Sequence, residues 1–259
     1  MFVKLLKYEW RANRSLVGLM CAIIGISGLL IGGILRYMIW SAAMGDNTVL
    51  AVYSAILSAA VITILICCAL VMYLMVYRFY KSRFGDQGYL MLTLPVTTHQ
   101  QLFSSILNTA ISVTVVGVTA LVSMTLAIGV FMNTFDQATQ ATLWKSFTAV
   151  GMVVSERLGI TGATMILQIP VLLLSNLADI VLFMLAMTVG AQAHRHPVWK
   201  GAAVYILTDM VVSEACGLVS RMTENLLLTA AVSCVLYGVL AVVAYLGMHH
   251  IFDKKLNLI

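Results

Sequence analysis

An all-α polytopic membrane protein with six transmembrane helices is the fold this sequence predicts, and three observations predict it. The 259-residue chain is 61% hydrophobic and only 10% charged, with a mean hydropathy of +1.00, where soluble domains carry about 25% charged residues. The charges also leave long gaps. No Asp, Glu, Lys or Arg lies between Arg14 and Arg36, Asp46 and Arg78, Asp86 and Asp136, Arg157 and Asp179, or Glu224 and Asp253. Each gap accommodates the roughly 20 apolar residues that cross a bilayer as a helix. Finally, Lys and Arg cluster at alternate ends of these gaps, as the positive-inside rule requires. The alternation of a membrane β-barrel is missing.

The spans fall at 16–38, 50–77, 102–132, 162–193, 201–220 and 226–249, within one transmembrane domain covering 1–259. With the N-terminus in the cytoplasm, the inner segments hold Lys4, Lys7, Arg11, Arg14, Arg78, Lys81, Arg83, Arg195, Lys200, Lys254 and Lys255. The outer ones hold Arg36, Lys145, Arg157 and Arg221. Eleven against four orients the chain with both termini cytoplasmic. The net charge of +5 then follows from topology and does not point to nucleic acid. The first apolar run, from Leu16 to Leu35, is longer than a signal-peptide core and has no A-x-A site after it, so it reads as a span that stays.

The opening, residues 1–15, is amphipathic as a helix. Lys4, Lys7, Arg11 and Arg14 share one face and Phe2, Leu5, Leu6 and Trp10 the other. Such a helix suits the cytoplasmic interface. Glu9 falls in the middle of the apolar face, where it either meets protein or pairs locally. In the first span, Gly28 and Gly32 form a small-xxx-small stripe that lets another helix approach closely; Gly25 and Gly33 lie beside it. Residues 133–160 form an extracellular segment and 250–259 a cytoplasmic tail.

The fourth span is too long for a straight crossing and carries Pro170, which predicts a kink or a strong tilt. The fifth is short and carries Asp209 and Glu214, so it either crosses fully or bends its outer end back into the membrane. Asp179, Asp209 and Glu214 are the intramembrane acids. Counted from the span ends, Asp179 and Glu214 lie at one level. They line a polar cavity, or they bond to neighbours such as Asn176, Thr208 and Ser213. The five cysteines read as small packing residues. His99, His194, His196, His249 and His250 read as solvated edge residues.

No G-x-x-x-x-G-K-[ST] occurs, so the chain has no phosphate-cradling loop of its own, and neither H-E-x-x-H nor a nucleophile elbow occurs. The most unusual stretch is FGDQGYLMLTLPVTTHQQL, residues 84–102, between spans two and three. Gly85-Asp86-Gln87-Gly88 is turn chemistry. Tyr89, Leu90, Leu92 and Leu94 make a short apolar element closed by Pro95. Thr97-x-x-Gln100 and Thr98-x-x-Gln101 both read as capping boxes that start span three. An apolar element on the cytoplasmic side either meets a protein partner or folds back on its own bundle.

Three stretches carry a resemblance: KLLKYEWRANRS at the start, YRFYKSRFGDQGYLMLTLPVTTHQQL, and DKKLNL at the end. In these, and in its length and six-span topology, the chain resembles the membrane subunit of a bacterial ATP-binding-cassette exporter of type V (type-two permease) fold. The resemblance implies that residues 84–98 carry the coupling helix. There, Gly85, Asp86, Gln87, Gly88, Tyr89, Leu90, Leu92, Leu94 and Pro95 would dock on an ATPase. Residues 1–15, with Lys4, Lys7, Glu9, Trp10 and Arg11, would be the connecting helix. It implies two copies of a separate ATPase, which holds the ATP and Mg, and a second permease, identical or paralogous. It also implies a path lined by spans one, two and five for an amphipathic peptide, antibiotic or lipid, in the bacterial plasma membrane. This chain binds no cofactor itself and is not an enzyme. Permeases of this kind often have Asp-Glu-Gly where this chain has Asp86-Gln87-Gly88, one carboxylate fewer for a basic surface. The alternative is an ion- or proton-coupled secondary transporter using Asp179, Asp209 and Glu214, although no internal repeat of the kind such folds often show is visible. A non-transporting scaffold would need only the packing features.

Overall fold

A computed structural model describes residues 2–44, 47–84, 97–133, 135–157, 162–192, 197–222 and 226–255. Among them all regular structure is helical. The helices are α1 (Phe2–Met44), α2 (Asn47–Phe84), α3 (Thr98–Met132), α4 (Gln137–Arg157), α5 (Gly162–Ala191), α6 (Pro197–Met222) and α7 (Leu226–Lys255). Six of them, all but α4, are long and apolar enough to cross a membrane. The chain is a multi-pass helical membrane protein.

One boundary differs from the sequence expectation. The opening does not form a helix separate from the first span, because α1 runs unbroken for 43 residues, about 64 Å at 1.5 Å per residue. No Pro interrupts residues 2–44 and the backbone ladder simply continues. The two faces expected at its start are nonetheless present: Lys4, Lys7, Arg11 and Arg14 are exposed, while Leu5, Leu6, Glu9 and Trp10 are half-buried. Of the two courses open to the fifth span, the structure has the unbroken helix. α6 is one helix of 26 residues, about 39 Å long, with Pro197 at its first position, where the missing N–H costs nothing. Gly217 lies inside it without ending it. α5 continues through Pro170. It runs for 30 residues, Gly162–Ala191, about 45 Å, close to the length expected of the fourth span.

The chain divides into two compact units. One contains Glu9–Leu74 and Ile111–Gly151. Here the predicted glycine stripe of α1 meets α3. A Cβ on Gly28 would lie 2.5 Å from Ser123 Cβ, and one on Gly32 2.9 Å from the Ala127 carbonyl oxygen. Gly25 and Gly33 have open space around them. Ile24, Ser27 and Ile31 share the buried face, the i, i+3, i+7 pattern of a packed helix stripe. Thr119 Oγ1 of α3 reaches Cys21 Sγ at 3.4 Å.

The other unit contains Met1–Tyr8, Met75–Ala110 and Met152–Ile259. Its centre is the second half of α5, where Ala178, Ile180 through Met184, and Ala186 through Thr188 are all buried. A helix apolar on every side is one that other helices surround. α7 packs most extensively against α5, α6 next, and α6 and α7 touch less. α5 and α6 come closest near their shared turn. A Cβ on Gly190 would lie 2.6 Å from Gly201 Cα, Gly201 N and the Pro197 carbonyl oxygen. Only glycine permits that approach.

Candidate functional site

The unusual stretch between α2 and α3 is bracketed by a built structure. Gly85, Asp86, Gln87, Gly88, Tyr89, Leu90, Leu92, Leu94 and Pro95 lie outside the described residues. The chain is described up to Phe84 and again from Thr97, and these two ends are held together. Arg83, in the last turn of α2, is only 4% exposed. Its Nη1 donates to Gln101 Oε1 at 2.8 Å, and its Nη2 to the Gln101 carbonyl oxygen at 3.1 Å and to Ser105 Oγ at 3.0 Å. A guanidinium presents its donors in a fixed fork, so one side chain sets both the distance and the angle between the two helix ends. The guanidinium also lies over the Phe79 ring, 5.7 Å from its centroid.

α3 starts at one of its two predicted capping boxes. Thr97 is the cap: its Oγ1 accepts a long bond, 3.4 Å, from Gln100 N–H, and its carbonyl accepts from Gln101 N–H at 3.2 Å. The second box does not serve as a cap, because Thr98 is already inside the helix and the Gln101 side chain is committed to Arg83.

α7 completes the footing. Phe252 lies against Phe79 and Phe84, with ring centroids 6.3 and 5.5 Å away. His99, in the first turn of α3, bonds through Nδ1 to Tyr245 Oη at 2.8 Å and stacks on His249 at 3.9 Å. His99 and His249 were expected to be solvated edge residues. His99 is exposed, but both rings make these contacts and tie α3 to α7. His194 and His196 lie outside the described residues.

Two of the intramembrane acids share a level and the third does not. Asp179 of α5 is half-buried. Asp179 lies twelve residues before the end of α5 at Ala191, and Asp209 twelve residues after the start of α6 at Pro197. Antiparallel neighbours with equal arms set the two acids at one level, about 18 Å from the turn. The level-mate of Asp179 is therefore Asp209 and not Glu214. Counting from span ends at 193 and 201 had hidden this. Tyr205, one turn before Asp209, stacks on Phe183 at 4.4 Å. Asp209 and Glu214 are both exposed, and Glu214 lies five residues further along α6. Two partners expected for the acids are engaged elsewhere: Asn176 Nδ2 donates to the Leu172 carbonyl and Thr208 Oγ1 to the Val204 carbonyl, each at 2.7 Å.

One turn from Asp179 lies an open groove of about 320 Å³ between α5 and α7. Gln168, Ile169, Val171, Leu172, Ser175 and Tyr237 line it. Among the described residues no three His, Cys, Asp or Glu side chains gather to hold a metal ion. In comparisons with protein-family models, with curated proteins and with solved structures, nothing matched the chain.

Proposed function

We propose that the chain is the membrane subunit of a bacterial exporter, driven by two copies of a separate ATPase that bind ATP and Mg. The observation that carries this reading is the Arg83 clamp. A buried guanidinium fixing both ends of a short apolar insert is what a lever needs: force applied to residues 85–95 passes to α2 and α3 together, without being lost in a loose connection. The absence of a phosphate-cradling loop gives the insert a reason to meet an ATPase. The three stretches resembling type V permeases support the same reading. On it, both termini face the cytoplasm, the membrane is the bacterial plasma membrane, and a second permease, identical or paralogous, faces this one. The cargo is amphipathic, a peptide, antibiotic or lipid. Residues Lys4, Lys7, Glu9, Trp10 and Arg11 move as the connecting part of α1.

A second reading has its own observation in the Asp179–Asp209 pair. Acids at membrane depth are costly and mark ion or proton paths, so a secondary transporter would use these two, with Glu214 outside the pair. Uptake of a labelled amphipathic peptide into inverted vesicles containing the chain and its ATPase separates the readings. Uptake is expected to require ATP and to survive collapse of the proton gradient. Asp179→Asn combined with Asp209→Asn is expected to keep most of it. Uptake that persists without ATP, collapses with the gradient and vanishes in the double variant would overturn the exporter reading in favour of the second.

A further inference from the structure

Helix α4 plays no part in the transport reading. We propose that α4 lies along a lipid surface, seated in the headgroup region at the membrane face where α3 ends.

Its start is fixed at that face. The Gln140 side-chain amide donates to the Met132 carbonyl at 3.1 Å and to the Phe135 carbonyl at 2.8 Å, and Gln140 N–H donates to the Asp136 carbonyl. Met132 closes α3, so one side chain caps the span and aligns the new helix. Phe131 and Phe135 meet edge to face across the same turn.

The other end of α4 must return to the membrane quickly. The apolar run of α5 reaches back to its start at Gly162. From Arg157 to Gly162 the chain reaches at most about 18 Å. An upright α4 of 21 residues would end about 32 Å from the face, beyond that reach. Lying flat, it needs no such return.

Its surface suits lipid. Apolar residues recur at 143, 147, 150 and 154, the spacing of one helical stripe, and the chain itself leaves Trp144 61% and Val150 62% exposed. α3 also leaves Leu121 and Ile128 exposed. Exposed Lys145, on the face opposite the stripe, suits anionic headgroups. The hydroxyls bond within the helix: Thr142 to the Ala138 carbonyl, Ser146 to the Thr142 carbonyl, Thr148 to the Trp144 and Lys145 carbonyls. Hydroxyls satisfied in this way tolerate a poorly hydrated boundary.

Single nitroxide labels test the proposal, at positions 142 to 153 in the full chain, with its five cysteines replaced by Ser. The chain is held in nanodiscs of phosphatidylethanolamine and phosphatidylglycerol. Labels at Leu143, Phe147 and Val150 are expected to be relaxed strongly by oxygen and weakly by a water-soluble nickel chelate. Labels at Lys145 and Thr148 are expected to show the reverse, with a period of about 3.6 residues. Uniform access to the nickel chelate would overturn the proposal, because α4 would then project into water. Immobile labels shielded from both relaxers would also overturn it, and would point to a second copy of the chain or another protein covering the stripe.

Discussion

Replacing Gly190 by Ala is expected to lower the thermal unfolding temperature of the solubilised protein by about 2–12 °C. A Cβ there would stand 2.6 Å from Gly201 Cα, Gly201 N and the Pro197 carbonyl oxygen. All three are backbone atoms, so no side chain can swing aside and α5 and α6 must separate. Overpacking of this kind costs about 1–3 kcal/mol, and for a chain of this size each kcal/mol corresponds to roughly 2–4 °C. Gly201→Ala is expected to cost less, since its nearest obstacle is the flexible Met187 thioether, 2.8 Å from the added Cβ. Gly117→Ala, with nothing within 4 Å, is expected to be neutral or to stabilise by up to about 1 kcal/mol. Fluorescence-detected melting of the three variants side by side reads this order. Equal melting of Gly190→Ala and Gly117→Ala would contradict the close approach of α5 and α6, and with it the common level of Asp179 and Asp209.

Arg83→Met is expected to release the footing of the insert. Three hydrogen bonds from a buried cation would be lost, and the polar atoms of Gln101 and Ser105 that accept them would lose that donor. Hydrogen bonds involving a charged partner are worth about 1.5–3 kcal/mol each in isolation. Because the three share one side chain, the expected net cost is about 2–4 kcal/mol. At roughly 2–4 °C per kcal/mol, the unfolding temperature is expected to fall by about 4–16 °C. Arg83→Lys keeps the charge but replaces the planar fork by a point donor, and should restore only part of the stability. Unchanged melting of Arg83→Met would mean that the ends of α2 and α3 are held together by something other than this clamp.

The parts of the fold governed by composition and local chemistry could be read from the residues. The five charge-free gaps fall in α1, α2, α3, the first part of α5 and α7, because bilayer thickness and helix rise leave little freedom; α6 carries Lys200, Asp209, Glu214 and Arg221. The Gly28–Gly32 stripe meets α3 as expected of two small residues four apart. Thr97 caps α3, and the alternation of Lys4, Lys7 and Arg11 with Leu5, Leu6 and Trp10 gives the two faces of the opening turns. What could not be read depended on contacts between distant residues. Arg83 counted only as one positive charge at a span end; its burial arises from Gln101 and Ser105, 18 and 22 residues later. His99 and His249 are 150 residues apart, and nothing local pairs them. The pairing of Asp179 with Asp209 depended on where α5 ends and α6 begins, and an error of a few residues moved the match to Glu214. The start of α6 did carry a signal in Pro197, a favoured first helical residue. α4 was passed over because its Thr and Ser content masks a stripe of only four apolar positions.

The insert is central to the proposed function, and one measurement tests it most directly. The tagged full-length chain is co-expressed with the products of its neighbouring genes and purified, with and without the substitutions Tyr89→Asp, Leu92→Asp and Leu94→Asp. The melting temperature of each membrane subunit is measured alongside. The account predicts that the wild-type chain retains an ATPase bearing G-x-x-x-x-G-K-[ST], and that the triple variant loses it while melting like wild type. Undiminished retention of the ATPase by a folded triple variant would contradict the coupling role of the insert.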